Sequence, residues 1–108
     1  MTLFRLDASI FPATSASRQL GDLVEAEWSA AHPSSTVVRR DVAADPIPAT
    51  AWRNSVTSGF TPADQHTDGQ REAVALRTLL ADELIDAEAL LFTVPLYNYG
   101  VSQHVKTW

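Results

Sequence analysis

The 108-residue sequence has no cysteine, few glycines, no basic cluster and no long apolar run. Without cysteine the chain forms neither disulfides nor thiolate metal sites, which is compatible with the cytoplasmic location that we expect. A net charge of −5 with no basic run argues against nucleic acid as a partner. No apolar stretch approaches the ~18 residues that cross a bilayer, and the amino end does not resemble a signal peptide, so we expect no membrane association.

Glycine is scarce where nucleotide-binding loops need it. The four glycines are Gly21, Gly59, Gly69 and Gly100. None of them lies between the first predicted strand and the first predicted helix. A P-loop and a dinucleotide-binding turn both require glycine there, so the sequence excludes both motifs.

The apolar pattern alternates between strand and helix periods along the chain. Predicted strands cover residues 3–8, 35–41 and 89–94; predicted helices cover 17–31 and 67–86, with a helical turn at 51–56 and a helix start at 102. Alternating β and α elements indicate a parallel sheet with right-handed crossovers. The length allows one domain, so the sequence predicts a single α/β domain over residues 1–108.

Each of the two long predicted helices carries further signals. The apolar positions of the first helix are Leu20, Leu23, Val24, Trp28 and Ala31. This spacing predicts that they form one buried face. Ser15 or Ser17 is predicted to cap the start of this helix. In the second helix, Thr67-x-x-Gln70 fits a capping box.

The stretch from Leu90 to Gly100 is the most informative part of the sequence. Its first half is an unbroken apolar run, the pattern of a strand buried on both faces. Pro95 then ends sheet pairing, Asn98 suits a turn, and Gly100 can take a positive φ or admit a ligand close to the backbone. The two tyrosines of this stretch follow the carboxyl end of a strand, where open α/β sheets bind ligands. The alternative is that these aromatic residues only pack the loop.

Three serines lie near the predicted start of the first helix, namely Ser9, Ser15 and Ser17. Hydroxyls and unpaired backbone N–H groups at a helix start hold phosphate, and the helix dipole assists them. This interpretation predicts a phosphate-binding loop. The alternative is that the serines serve only as helix caps.

These stretches resemble the FMN-dependent NADH-azoreductases, also called FMN-dependent NADH:quinone oxidoreductases, which have a flavodoxin-like fold. The likeness covers nearly the whole chain. It rests on Ser9-Ile10, on Ser15-Ala16-Ser17 with Leu20, on Asp41 to Pro48, and on Pro95-Leu96-Tyr97-Asn98-Tyr99. The last of these segments is the most specific.

The resemblance implies an FMN site made of two loops. It implies that the phosphate is bound by Ser9, Ser15, Ala16 and Ser17. It implies that the ribityl chain and the flavin ring are contacted by Leu96, Tyr97, Asn98 and Tyr99. Ala16 stands where members often carry Gln, and Leu96 replaces a frequent Met of similar volume. Because the flavin carries the chemistry, we name no catalytic residue, and the widely spaced histidines predict no metal site.

The resemblance also implies a function. It implies hydride transfer from NADH through FMN to quinones or azo compounds, in a homodimer with its active sites at the interface. Trp52 and Phe60 resemble the segment that reaches the partner's site, although local packing over the sheet is an alternative. Two other functions stay open: a non-catalytic flavodoxin-like binding or interaction module, and an NAD(P)H-dependent FMN reductase. The sequence does not choose between NADH and NADPH.

Members of this family are about twice as long and have five parallel strands in the order 2-1-3-4-5. The three predicted strands correspond to the first three strands of that sheet. We therefore expect a truncated, doubly wound flavodoxin-like sheet that lacks the second flavin loop of the family. In that order the third strand becomes an exposed apolar edge.

Overall fold

Strands and helices alternate along the chain in the predicted order. The structure is a computed structural model, and it describes residues 1–11 and 13–108. Its elements are β1 (Thr2–Asp7), α1 (Ala16–Ala31), β2 (Thr36–Asp41), α2 (Ala51–Ser58), α3 (Asp68–Ile85), β3 (Ala89–Thr93), β4 (Leu96–Tyr97), β5 (Gly100–Val101) and α4 (Gln103–Thr107). The predicted elements are confirmed to within two residues at their ends, which is the usual uncertainty of such boundaries. The short hairpin of β4 and β5 was not predicted.

The main sheet is parallel, with the strand order β2-β1-β3. The central strand β1 pairs with both neighbours, so that Leu3 lies beside Val37 on one side and beside Ala89 on the other. The predicted parallel α/β sheet is therefore confirmed, and its order is that of the first three strands of a 2-1-3-4-5 sheet. All three strands end at the same edge.

The apolar core lies on one face of this sheet. Its buried residues are Phe4, Leu6, Ala8 and Val42. The ring of Phe4 stacks on Trp108 with centroids 6.2 Å apart and meets the ring of Phe92 edge-on at 6.4 Å. Each buried Phe or Leu side chain contributes about 1.5–3 kcal/mol to folding. Leu84 of α3 and Val105 of α4 pack against the same cluster, which holds both helices against the sheet.

The opposite face of β1, which meets α1, is charged. Arg5 is buried, and its guanidinium contacts Asp7 at 3.1 Å, Asp22 at 2.7 Å and Glu25 at 2.8 Å. Burial opposes ionisation of Arg5, but the hydrogen bonds to these carboxylates outweigh burial and raise the pKa of the guanidinium. A buried charge is tolerated only when it is paired in this way.

The side of α1 that meets the sheet is not the side that its apolar residues predict. Gly21 is buried against the sheet, and a Cβ there would lie 2.5 Å from Thr93 Cγ2. Leu20, Leu23 and Val24 are instead more than half exposed. The prediction that the apolar positions of α1 form its buried face is wrong. The ion pairs and the close approach at Gly21 decide which side of the helix meets the sheet.

β3 is an edge strand in this chain. Leu90 and Phe92 are 51% and 46% exposed, whereas Thr93 is buried. The prediction of a strand buried on both faces is therefore wrong for the residues described. The exposed apolar edge expected from the five-stranded order is confirmed.

The long connection between β2 and β3 carries α2 and α3. The Thr67 hydroxyl accepts from the N–H of Gln70 at 3.1 Å, and the Gln70 side chain accepts from the N–H of Thr67 at 2.9 Å, so the predicted capping box is confirmed. Trp52 and Phe60 are 72% and 85% exposed, which contradicts local packing over the sheet. Among the described residues, no helix has the length and apolar character needed to cross a membrane.

Candidate functional site

Two loops meet at the carboxyl edge of the sheet. The first loop joins β1 to α1, and the second follows β3. The backbone N–H of Ile10 in the first loop donates to the Tyr97 hydroxyl in the second at 3.2 Å. The structure therefore brings together the two groups of residues that the sequence singles out. Such an edge is where open α/β sheets bind their ligands.

The serines of the first loop stabilise its two ends. Ser9 is buried, and its hydroxyl oxygen accepts from the N–H of Phe11 at 3.1 Å, which forms a tight turn directly after β1. Ser15 caps α1 by accepting from the N–H of Arg18 at 3.3 Å. Its hydroxyl also lies 3.0 Å from that of Ser17. Capping is thus confirmed for Ser15, and several hydroxyls lie at one helix start.

The start of α1 also supplies backbone donors. Ala16 and Ser17 occupy the first turn, where N–H groups have no partner within an α-helix. The positive end of the helix dipole adds to these donors. N–H groups, hydroxyls and a helix start together match what a phosphate needs.

Arg18 connects this loop to β2. Its Nη1 donates to the Asp41 carboxylate at 2.7 Å, and its Nη2 donates to the Ser9 carbonyl at 2.6 Å. Its Nε is buried and has no hydrogen-bond partner within residues 1–11 and 13–108. Sequence reasoning missed Arg18 because the residues that it joins lie up to 23 positions away and form no motif.

The carboxylate of Asp41 is held in its ionised form. Its Oδ1 accepts from the N–H groups of Ala43 and Ala44 at 3.1 and 2.9 Å, while Oδ2 accepts from Arg18. Burial favours the neutral acid, but these hydrogen bonds outweigh burial and lower the pKa of Asp41. The same hydrogen bond to Asp41 raises the pKa of Arg18. The pair is therefore fully charged at neutral pH.

The second loop is a two-residue hairpin. Tyr97 on β4 pairs with Gly100 on β5, and the turn residues Asn98 and Tyr99 have φ values of 52° and 64°. Two successive left-handed residues match the twist of antiparallel strands. Gly100 does not take the positive φ that glycine allows, because the turn takes its left-handed residues one and two positions earlier. Asn98 is confirmed as a turn residue.

Tyr99 is fully exposed on this turn, and Leu96 beside it is 72% exposed. A left-handed φ is strained for a bulky side chain, and such strain is often found at ligand sites. The alternative, that the aromatic residues only pack the loop, is therefore wrong for Tyr99. An exposed ring beside an apolar side chain offers a surface to a planar ligand.

A cavity of about 430 Å³ opens between the two loops and α4. Its lining includes Ile10, Tyr97, Asn98, Ser102, His104 and Lys106. A larger apolar groove of about 550 Å³ lies on the other face of the sheet, among α2, α3 and α4. That groove contains none of the eight residues predicted to bind FMN. The smaller cavity contains Tyr97 and Asn98 of the second loop and Ile10 of the first.

A parallel α/β sheet with ligand loops at its carboxyl edge defines the class of doubly wound proteins. The family model of the flavodoxin-like fold matches residues 1–108, and the chain belongs to this family. Two crystal structures agree with the fold. The crystal structure of azoreductase AzrA matches with a TM-score of 0.82 at 24% identity. The match covers 99% of this chain and 53% of the AzrA chain. The crystal structure of an azoreductase from Bacillus anthracis matches with a TM-score of 0.77 at 22% identity, and the match covers 98% of this chain and 52% of that one.

Curated relatives are more similar in sequence. A protein of Xanthobacter autotrophicus named FMN-dependent NADH:quinone oxidoreductase is 47% identical over 107 residues, which are 99% of this chain and 51% of the relative. A Streptomyces avermitilis protein of the same name is 40% identical over 108 residues, with 99% and 49% coverage. The chain spans about half the length of the curated relatives that it matches.

Proposed function

We propose that this chain is part of an FMN-dependent oxidoreductase that passes a hydride from NADH through FMN to a quinone or an azo compound. The names of the relatives support the activity. The hydrogen bond from Ile10 to Tyr97 carries the proposal, because it joins the two loops that would hold the phosphate and the ring. Residues 1–108 would then form the amino-terminal part of one flavodoxin-like domain, as the family match supports.

The first loop would hold the FMN phosphate. The residues that would hold it are Ser9, Ser15, Ala16 and Ser17. The hydroxyls of Ser15 and Ser17 and the first-turn N–H groups lie at one helix start, and Ser9 ends the same loop at its β1 side. Arg18, whose buried Nε lacks a partner among the described residues, is bonded to the Ser9 carbonyl beside these groups. These groups fit a phosphate without any glycine-rich turn.

The second loop would contact the rest of the cofactor. The residues that would contact the ribityl chain and the ring are Leu96, Tyr97, Asn98 and Tyr99. When bound, FMN supplies the capacity to accept and donate a hydride. The side chains of this chain would bind and orient it, and Leu96 and Tyr99 would shield one part of the ring from water. No side chain is assigned an acid or base role.

We also propose a homodimer located in the cytoplasm. The exposed side chains of Trp52 and Phe60 support an interface, because large exposed aromatic residues are typical of protein contacts. In such a dimer these two residues would lie toward the partner's flavin site. If so, Phe60→Ala should alter the kinetics with quinones or dyes in the full-length enzyme, and unchanged kinetics would discard this role.

The proposed function is tested by titrating the flavin-free full-length protein that contains this chain into FMN and into riboflavin while recording flavin fluorescence, and then adding NADH. The expected result is tighter binding of FMN, followed by loss of the visible flavin absorption when NADH reduces it. Equal affinity for both flavins, or no binding at all, would contradict the phosphate site. Binding of FMN without reduction by NADH would favour the non-catalytic module instead.

A further inference from the structure

Two carboxylates lie at the sheet edge that carries the proposed phosphate site. Asp7 ends β1 and Asp41 ends β2, and the two residues are partners in the strand register. An unpaired carboxylate would repel a phosphate at this place. Each is paired with an arginine, Asp7 with Arg5 at 3.1 Å and Asp41 with Arg18 at 2.7 Å.

The two arginines differ in their other contacts. Arg5 binds carboxylates along α1 and so attaches the helix to the sheet. Arg18 binds the loop itself: its side chain donates to the carbonyl of Ser9, and its backbone N–H donates to the hydroxyl of Ser15. One residue therefore contacts both ends of the serine loop as well as the end of β2.

We propose that Arg18 is a positioning residue for the FMN phosphate. Its guanidinium neutralises Asp41 and fixes the carbonyl of Ser9, so that a dianionic phosphate meets neither an unpaired carboxylate nor a free carbonyl oxygen. This inference rests on the proposed function, because it assumes that the serine loop binds a phosphate.

The charge of Asp41 makes this role necessary. Two backbone N–H groups bind its Oδ1 and favour the ionised carboxylate alongside Arg18. The same guanidinium contacts both Asp41 and the Ser9 carbonyl, so the Asp41 carboxylate lies close to the serine loop. This separation is well below the Debye length of about 10 Å, so salt screens the repulsion only weakly. Removal of Arg18 would therefore leave an unscreened negative charge beside the phosphate.

The first test compares FMN with riboflavin, which lacks the phosphate. In Arg18→Met the side chain keeps its apolar stem but loses its charge and donors. We expect the Kd for FMN to rise at least about tenfold at low ionic strength, because an unneutralised carboxylate close to the phosphate opposes its binding. The Kd for riboflavin should change by less than about twofold, because the ring contacts remain.

The second test adds Asp41→Asn to the Arg18→Met variant. If Arg18 acts by neutralising Asp41, removal of the carboxylate should restore most of the FMN affinity. Asp41→Asn alone should leave the FMN affinity equal to that of the wild type or higher. Arg77→Met is the matched control, since Arg77 contacts Ser55 on the other face of the sheet and should change neither Kd.

Thermal unfolding shows whether each variant folds. If Arg18→Met does not fold, the FMN affinity of Asp41→Asn alone tests the proposal. A loss of FMN and riboflavin affinity by the same factor in Arg18→Met would overturn the proposal in favour of a purely structural brace. Failure of Asp41→Asn to restore FMN binding would overturn it in favour of direct attraction by Arg18. A full-length wild-type protein that binds neither flavin would overturn the proposed function, and this inference with it.

Discussion

The two loops at the sheet edge are built in opposite ways. The first is held by buried polar contacts, with Ser9 and Ser15 buried and Arg18 bonded to both ends. The second exposes its side chains on a turn with two left-handed residues, one of which is Tyr99. The two ends of the first loop are therefore held in place before any ligand binds. The second keeps side chains free for a ligand at the cost of backbone strain.

The largest effect is expected at Gly21, which seats the helix that carries the first loop. In Gly21→Ala the new Cβ would overlap Thr93 Cγ2 and Arg5 Nη2, at 2.5 and 2.8 Å. We expect a loss of about 1–3 kcal/mol in the free energy of unfolding, because overpacking outweighs the better helix propensity of alanine. Urea unfolding measures this loss.

Gly69→Ala in the first turn of α3 is the matched control, since its Cβ would meet the end of the flexible Asn54 side chain at 3.0 Å. It should be close to neutral. A Gly21→Ala variant as stable as Gly69→Ala would contradict the close seating of α1.

A second effect is expected where the loops touch. Tyr97→Phe removes the hydroxyl that accepts from the N–H of Ile10 at 3.2 Å. We expect a loss of about 0.5–1.5 kcal/mol in the free energy of unfolding. Amide hydrogen exchange at Ile10 should accelerate as well, whereas exchange at Phe11, whose N–H is bonded to Ser9, should not. Unchanged exchange at Ile10 would show that the loops are independent.

A smaller effect of opposite sign is expected at Tyr99. Tyr99→Gly relieves the left-handed strain and should raise the free energy of unfolding by about 0.5–1 kcal/mol. The substitution should weaken the binding of FMN and of riboflavin by the same factor, because both ligands carry the ring that Tyr99 would contact. Asn98→Gly is the control. Asparagine tolerates a left-handed φ better than tyrosine does, so this replacement should raise the free energy of unfolding by less. A Tyr99→Gly variant that is less stable than the wild type would contradict the strain.

The smallest effect concerns acid stability. The pKa of Asp41 is lowered in the folded chain, so this carboxylate stabilises the fold above its unfolded-state pKa, and the stabilisation is lost as the pH falls through the folded-state pKa. The free energy of unfolding should therefore fall less steeply with acid in Asp41→Asn than in the wild type. Asp64→Asn, at an exposed position, serves as the control. Identical acid profiles for the wild type and Asp41→Asn would contradict this contribution.

Local patterns predicted much of this fold. The strands, the long helices, the cap at Ser15 and the capping box at Thr67 depend on neighbouring residues, so the sequence contains them directly. The exposed side of α1 could not be predicted, because it depends on Arg5 and on the approach at Gly21 across the sheet.

The candidate site was predicted to a similar extent. Its two loops follow from the ends of β1 and β3, but their direct contact depends on residues 87 positions apart. The hairpin was missed because its left-handed positions hold Asn98 and Tyr99, whereas glycine at such positions is the usual signal. Arg18 was missed because its partners are distant in the sequence.

The most direct measurement is an amide-resolved NMR titration of the flavin-free full-length protein with FMN and, separately, with riboflavin. We predict that FMN shifts the amide signals of Ser9, Ile10, Ala16 and Ser17, and that riboflavin does not shift them. Both ligands should shift the amides of Tyr97, Asn98 and Tyr99. Shifts that map instead to the groove between α2 and α3, or that are the same for both flavins in the serine loop, would contradict the two-loop site.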